Sequence, residues 1–260
     1  MSYQATVYTL IISCPSDAED EQKTLREHIN RWNDVHSERT SIVLLPLFYK
    51  THVPPILASP EDPRPQAVIN EYIVTSSDWL IAVFKNKFGT PTGKAESGTL
   101  EEIELFRKDN ALKPVSVYFF ASCKDERVAQ YKQKLNGIWK EYKDCTDLGT
   151  EFFINLSQIV HKNPYVRQKF IDTNRKIEER AQILLTEVAS DSKNIILVSR
   201  LIGQELKVET NGSKYVGYEM AVDLLCKRRH LEKVDLNGER FKLTELGKQE
   251  VEALRNFPTF

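Results

Sequence analysis

The segment from Phe84 to Phe106 constrains the fold of this chain more than any other. It follows the apolar run Trp79–Phe84, whose length and composition predict a buried strand. Its sequence, FKNKFGTPTGKAESGTLEEIELF, has three glycines and a proline in a predicted loop, and becomes helical over 99–108. A glycine-rich loop that leaves a strand and opens a helix is the layout of many α/β ligand sites. The segment therefore predicts a ligand-binding α/β domain.

Predicted strands and helices alternate through the first part of the chain. The strands are expected at 5–12, 41–48, 79–84 and 115–120, and the helices at 17–33, 66–74, 99–108, 126–142 and 150–161. Long crossovers between successive strands imply a parallel sheet covered by helices on both faces. The carboxyl ends of the strands then meet at one edge, where such folds bind ligands. We expect three loops at that edge: 13–17, the proline-rich 49–65, and 84–98.

The dipeptide Asn163-Pro164 interrupts this alternation, and we place a domain boundary there, between residues 1–163 and 164–260. The second part predicts helices at 170–188 and 219–229, a hairpin of 231–234 and 240–243 turning at Asn237-Gly238, and a last helix to about 255. Residues 194–206 are ambiguous between strand and helix. This pattern predicts a smaller, winged helix-turn-helix-like α+β domain.

The composition argues against several classes of protein. No apolar run approaches the roughly 20 residues of a membrane span, and the N-terminus predicts an immediate strand and not a signal peptide. The four cysteines are scattered without a C-x-x-C pair, which argues against a zinc site or a disulfide framework and fits the cytoplasm. The net charge of −1 argues against a dedicated nucleic-acid binder.

Glu102 is the strongest candidate for a catalytic residue. On a helix it has Leu105 and Phe106 three and four residues on, so it is expected beside the apolar face, whereas Glu101 is expected to face solvent. A carboxylate at a helix start beside an apolar wall can stabilise a ribosyl cation or bind ribose hydroxyls. Thr99 and Glu102 also fit a capping box, in which the carboxylate serves only the helix start. The local sequence leaves both interpretations open.

Three strings in the first part of the chain resemble a TIR-like domain that opens many bacterial defence and signalling proteins. They are IISCPSDAEDEQKTLREHINRWN, PRPQAVINEYIVTSSDWLIAVFKNKFGTPTGKAESGTLEEIELF and KPVSVYF. The likeness spans about residues 4–163 and is most specific in SCPSD and GTPTGKAESGTLEEIE. It implies a flavodoxin-like fold. Two positions depart from the family pattern, Thr99 where cysteine is frequent and Lys87 where arginine is more usual.

The resemblance also implies an activity. Many TIR proteins cleave the nicotinamide–ribose bond of NAD with a glutamate in the first turn of a helix, and Glu102 matches that position. The chain would then be a toxic effector of antiphage defence, with NAD as its substrate, no cofactor and no metal. Ser13, Asp17, Gly89 and Ser97 would line the nucleotide site. Aromatic side chains near its mouth could stack on a base: Phe48, Tyr49, Trp79 and Phe88.

The sequence is also compatible with two alternatives to an NAD glycohydrolase. The layout resembles nucleoside deoxyribosyltransferase-like retron effectors, some of which carry a winged helix like the one suggested by ERFKLTELG, so the substrate could be a nucleotide or nucleoside. The chain could also be a nucleotide-sensing module without turnover, with a winged helix that binds DNA or a partner.

The apolar stripe of the helix at 170–188 bears on assembly, since such stripes pack on something. We expect a homo-oligomer or a regulatory complex, with a nucleic-acid-containing partner as one option and no membrane partner. The alternative is that the stripe fills the core of its own domain.

Overall fold

The computed structural model describes residues 5–199, 207–210, 212–235 and 240–256. The chain forms two compact units that divide between Lys169 and Phe170. This division lies inside one continuous helix, Pro164–Ser190. Near the boundary suggested by the sequence, Asn163 ends the helix Cys145–Lys162 and Pro164 begins this next helix.

The first unit is built on a five-stranded parallel sheet. Its strands are β1 (Thr6–Ser13), β2 (Ile42–Leu47), β3 (Trp79–Phe84), β4 (Val115–Phe120) and β5 (Lys140–Tyr142). Their order in the sheet is β2-β1-β3-β4-β5. All six residues of β3 are buried, as expected for the central strand of a doubly wound sheet. The strand order is that of the flavodoxin-like fold, and the predicted fold class is confirmed.

Helices lie on both faces of this sheet. They are α1 (Glu19–Thr40), α2 (Tyr49–His52), α3 (Pro65–Ile69), α4 (Gly98–Asp109), α5 (Glu126–Lys134) and α6 (Cys145–Lys162), which follows the last strand. The next helix, α7 (Pro164–Ser190), contains the division between the two units. A π-helical turn, Asn70–Val74, continues α3. On one face, the π-helical turn, α4 and α5 share an apolar cluster with Ile11 of β1, Leu47 of β2 and alternate residues of β3 and β4. On the other, Phe152 of α6 packs edge-on against Tyr118 of β4.

One predicted helix in this unit is wrong over its last part. The sequence predicts a helix over 126–142, but α5 ends at Lys134 and Lys140–Tyr142 forms β5, which pairs with β4. Only Tyr142 of β5 is buried. A three-residue strand with two exposed charged side chains contains no apolar run that could reveal it.

The second unit contains an antiparallel sheet with five described strands. Its elements are β6 (Ile195–Ser199), β7 (Lys207–Thr210), β8 (Ser213–Val216), α8 (Glu219–Lys227), β9 (Leu231–Lys233), β10 (Arg240–Leu243) and α9 (Glu245–Asn256). The order of the strands in the sheet is β8-β7-β6-β10-β9. The predicted hairpin of β9 and β10 is confirmed, while its turn at Asn237-Gly238 lies outside the described residues. Of the ambiguous segment, 195–199 is strand, and 200–206 also lies outside them.

The apolar stripe of α7 belongs to the core of this second unit. Ala181, Leu184, Leu185 and Val188 are buried there together with residues of the sheet, α8 and α9. The stripe is therefore explained without a docking partner, and the winged-helix assignment stays a prediction. None of the described helices combines the length and the hydropathy needed to cross a bilayer.

Candidate functional site

Loops from three strand ends of the first unit enclose a cavity of about 550 Å³. Ser13 is the last residue of β1, and residues 14–16 follow it. Tyr49 and 64–66 come from the connection between β2 and β3. Residues 87 and 89–92 come from the loop that leads into α4, and Gly98 is the first residue of that helix. These are the three loops that the sequence predicts at the carboxyl edge of the sheet. The cavity has the size of an ordinary small-molecule site.

Glu102 is the only carboxylate among the described residues that line this cavity. Glu102 is 8% exposed. Gln66 Nε2 donates a hydrogen bond to Glu102 Oε1 at 2.7 Å. Burial raises the pKa of Glu102, and the neighbouring charge of Glu101 adds to this, while the Ser13 hydroxyl and Gln66 act in the opposite direction. Burial is the largest of these effects, so the pKa lies above its ordinary value.

The start of α4 decides between the two interpretations of Glu102. Ser97 is the N-cap, and its Oγ accepts a hydrogen bond from the Leu100 N–H at 3.2 Å. Thr99 lies inside the first turn, and the Glu102 carboxylate contacts Gln66 and not the helix start. The capping-box interpretation is therefore wrong, and Glu102 has no structural role at the helix terminus.

Glu101 is buried as well, so the prediction that it faces solvent is wrong. It accepts hydrogen bonds from Arg64 Nη1 at 3.0 and 2.9 Å, from Asn70 Nδ2 at 2.9 Å, and from the Thr92 hydroxyl. Arg64 is also bonded to Asp62 at 2.7 and 2.8 Å. Glu101 thus ties the proline-rich loop and the glycine-rich loop to α4, which is a structural role.

Two of the predicted nucleotide contacts line the cavity with Glu102. Ser13 is 3% exposed, and its Oγ has no hydrogen-bond partner of ordinary geometry among the described residues, although it is close enough to lower the pKa of Glu102. Gly89 has a φ of 107°, and a Cβ there would lie 2.9 Å from Ser97 Cβ. The position therefore requires glycine.

The other two predicted contacts do not line the cavity. Ser97 is fully buried as the N-cap of α4. Asp17 accepts a hydrogen bond from the Asn86 N–H at 2.9 Å through Oδ2, so it joins the β1 and β3 loops. The structure brings Glu102, Ser13 and Gly89 together and gives Ser97 and Asp17 positions in the surrounding scaffold.

Of the four aromatic residues considered for base stacking, Tyr49 alone lines the cavity. It is 43% exposed, whereas Phe48, Trp79 and Phe88 are buried in the protein interior. Phe88 stacks on Phe84 with ring centroids 5.6 Å apart. Only the Tyr49 ring is available to a bound base from this set.

Gln66 and Asn70 also belong to this site, although the sequence did not point to them. Gln66 donates to both Glu102 and Asn70, and Asn70 donates to Glu101. The two residues are four apart on a helix that otherwise presents Ile69, Ile73 and Val74 to the interior. Two amide side chains on an otherwise apolar helix face are a signal that could have identified them, because buried amides need hydrogen-bond partners such as carboxylates.

The cavity is also lined by cationic side chains, which include Lys87 and Arg127. Lys87 lines it and has no ion pair in the described part of the chain, while Arg127 is paired with Asp125 at 3.0 Å. Burial, with a contribution from Glu102, raises the pKa of Cys14 to about 12, so this thiol stays protonated at neutral pH. The described residues contain no cluster of three or more His, Cys, Asp or Glu that could hold a metal ion.

No family model and no curated protein matches the chain. Among solved structures, it is similar to one described as the crystal structure of the RPS4 and RRS1 TIR domain heterodimer. The two share 9% sequence identity, and the match covers 59% of this chain and 97% of the other with a TM-score of 0.38. The fold assignment accordingly rests on the strand order of the first unit and not on this overlap.

Proposed function

We propose that the first unit is a TIR-like NAD glycohydrolase in which Glu102 carries catalysis. The observation that supports this most is the buried Glu102 carboxylate, the sole acidic group among the described residues of the cavity. The reaction passes through an oxocarbenium-like state on the ribose, and a fixed negative charge in a poorly solvated site stabilises that state. The TIR-like sequence strings point to the same position.

The lining of the cavity favours NAD over a neutral nucleoside. When the bond from C1′ of the ribose to the pyridinium nitrogen breaks, its electron pair neutralises that nitrogen, and nicotinamide leaves without protonation. Water then adds to C1′ and releases a proton. A neutral purine or pyrimidine leaves more easily when an acid protonates it. No second carboxyl group that could do so lines the described cavity.

Other lining residues have matching roles in this proposal. Tyr49 is placed to stack on a base. The unpartnered Ser13 hydroxyl offers a hydrogen bond to a ribose hydroxyl beside Glu102. The unpaired Lys87 ammonium offers a charge for the pyrophosphate.

We also propose that the protein acts as a toxic effector in antiphage defence and that the second unit controls it. Unrestrained destruction of NAD would kill the host, so the activity needs a gate. The apolar stripe of α7 packs in the core of the second unit, so it gives no support for assembly. The case for control by the second unit therefore rests on the proposed activity alone. Sedimentation or mass photometry of the full chain, before and after phage infection, should show a change in assembly. A constant monomer under both conditions would contradict it.

Metabolite profiling of cells that express the protein would test the substrate. We expect loss of NAD with accumulation of nicotinamide and ADP-ribose in the wild type, and normal NAD in Glu102→Gln. Loss of one nucleotide or nucleoside pool with intact NAD would favour the glycosidase alternative. Tight binding of NAD or a nucleotide by the purified protein, with no product under any condition, would favour the sensing module.

A further inference from the structure

Four side chains connect the exposed rim of the cavity to the buried Glu102 carboxylate. Arg64 Nη1 donates to Glu101, Asn70 Nδ2 donates to Glu101 at 2.9 Å, Gln66 Nε2 donates to Asn70 Oδ1 at 3.1 Å, and the same Nε2 donates to Glu102 Oε1 at 2.7 Å. Glu101, Asn70 and Glu102 are all buried. The series is therefore continuous and largely shielded from water.

The direction of every hydrogen bond in this series is fixed from its outer end. A guanidinium can only donate, so Glu101 faces Arg64 as an acceptor. Glu101 accepts from Asn70 as well, which turns the amide nitrogen of Asn70 toward Glu101 and its amide oxygen toward Gln66. Gln66 must then present its own amide nitrogen to Asn70, and that nitrogen also reaches Glu102.

The packing around Gln66 holds it in this position. Gly98 lies against it, and a Cβ at residue 98 would be 2.7 Å from Gln66 Oε1. The absence of a side chain at Gly98 leaves the space that the Gln66 amide occupies. The π-helical turn that begins at Asn70 sets the second amide, and such turns are frequent at functional sites.

We propose that Arg64, Glu101, Asn70 and Gln66 form a directional hydrogen-bond relay that holds the Glu102 side chain as a carboxylate aimed into the cavity. The relay consists of positioning residues and rests on the proposed function for its catalytic meaning. It explains how a carboxyl group can remain ionised in a site whose burial opposes ionisation. It also explains why two consecutive glutamates are both buried in α4.

Other groups that face Glu102 from the surrounding elements also affect its ionisation. Glu101 acts against its ionisation, and the Ser13 hydroxyl and Gln66 act in favour of it. The other ionisable groups in the cavity wall are Cys14, Tyr49, Arg64, Lys87 and Arg127. Among the described contacts, Gln66 is the hydrogen-bond donor that reaches the Glu102 carboxylate with good geometry.

The relay can be tested on the full-length protein without substrate. The Glu102 carboxyl carbon is followed by NMR in protein labelled with ¹³C at glutamate, and its signal is assigned by its loss in Glu102→Gln. The pH midpoint is then compared in wild type, Gln66→Met and Asn70→Leu. Gln22→Met is the matched control, because Gln22 lines the same cavity and has no side-chain hydrogen bond among the described contacts.

We expect Gln66→Met to raise the Glu102 midpoint by about one pH unit, the size expected when a buried carboxylate loses its donor. Asn70 does not touch Glu102, but without Asn70 the Gln66 amide can turn its oxygen toward Glu102. Asn70→Leu should therefore also raise the Glu102 midpoint, by less than Gln66→Met does. Gln22→Met should leave it unchanged. Because Gln66 is half-buried, Gln66→Met is expected to fold, and it decides the question alone if Asn70→Leu does not.

A Gln66→Met midpoint equal to that of the wild type would overturn the relay. The measurement needs no turnover, so it is separate from the test of function. A protein that releases no nicotinamide would refute the glycohydrolase while the relay could still stand. An active enzyme with an unchanged midpoint in Gln66→Met would refute the relay alone.

Discussion

Glu101 and Glu102 are consecutive in α4 and equally buried, yet their carboxylates serve different purposes. Glu101 is held by Arg64, Asn70 and Thr92, whereas Glu102 faces the cavity with Gln66 as its donor. The first fastens two loops to the helix, and the second is the carboxylate to which we assign the proposed catalysis. A substitution of Glu101 would therefore disturb the loop structure, and only a substitution of Glu102 tests the proposed catalysis.

The activity should decline on the acid side of neutrality. In the proposed reaction Glu102 acts as a carboxylate, and burial raises its pKa, so activity should be complete above that pKa and should be lost as the pH falls through it. The midpoint of the acid limb of kcat/KM for NAD should lie above the ordinary value of about 4.5 for a glutamate. A rate that stays constant down to pH 4 would contradict this assignment.

Removing the Glu102 charge should stabilise the fold at neutral pH. A carboxyl group whose pKa is raised on folding contributes stability below its unfolded pKa, and that contribution is lost as the pH rises through the folded pKa. Glu102→Gln should therefore unfold at a higher Tm than wild type at pH 7, and the difference should shrink in acid. The same Tm, or a lower one, at pH 7 would indicate that Glu102 is well solvated or well paired.

Tyr49 should contribute to affinity through stacking on a base. We expect Tyr49→Ala to weaken the binding of NAD by about tenfold or more, because stacking of one base on an aromatic ring contributes roughly 1–3 kcal/mol. Tyr72→Ala is the matched control, since Tyr72 is also 43% exposed and does not line the cavity. Calorimetric titration of Glu102→Gln backgrounds would give both values without turnover. Equal affinities for the two variants would exclude Tyr49 from the site.

Ser97 should affect stability and not binding. Its hydroxyl caps α4, so Ser97→Ala should lower the free energy of unfolding by about 1 kcal/mol, as for other N-cap serines. Urea denaturation measures this, and affinity for NAD at low urea should match wild type. If affinity fell while stability did not, Ser97 would belong to the nucleotide site as the TIR-like resemblance implies.

The sequence allowed the sheet, and the edge that carries the cavity, to be predicted because long apolar runs mark buried parallel strands. β3 and β4 were predicted at their observed bounds for this reason. The strand β5 has no such run and was missed. The environment of Glu101 depends on Arg64 and Asn70, more than thirty residues away in the chain. Helical periodicity contains no information about partners at that distance, so the local pattern assigned Glu101 to solvent.

The roles of Ser97 and Asp17 could not be read from sequence for a related reason. A serine or aspartate beside a helix start is equally suited to capping, to joining loops and to binding a ligand. Ser97 caps α4, and Asp17 accepts from a backbone N–H of the loop after β3. Which role applies depends on where neighbouring loops fold, and that is a property of the whole sheet edge.

Release of nicotinamide from NAD by the purified full-length protein, compared with its Glu102→Gln variant, tests the central claim most directly. The protein is taken from cells in which its expression depletes NAD, so that an active form is in hand. We predict stoichiometric nicotinamide and ADP-ribose from the wild type, and a rate at least about a hundredfold lower from the variant, the effect of removing one electrostatic stabiliser. Equal rates of nicotinamide release from the two proteins would contradict the account.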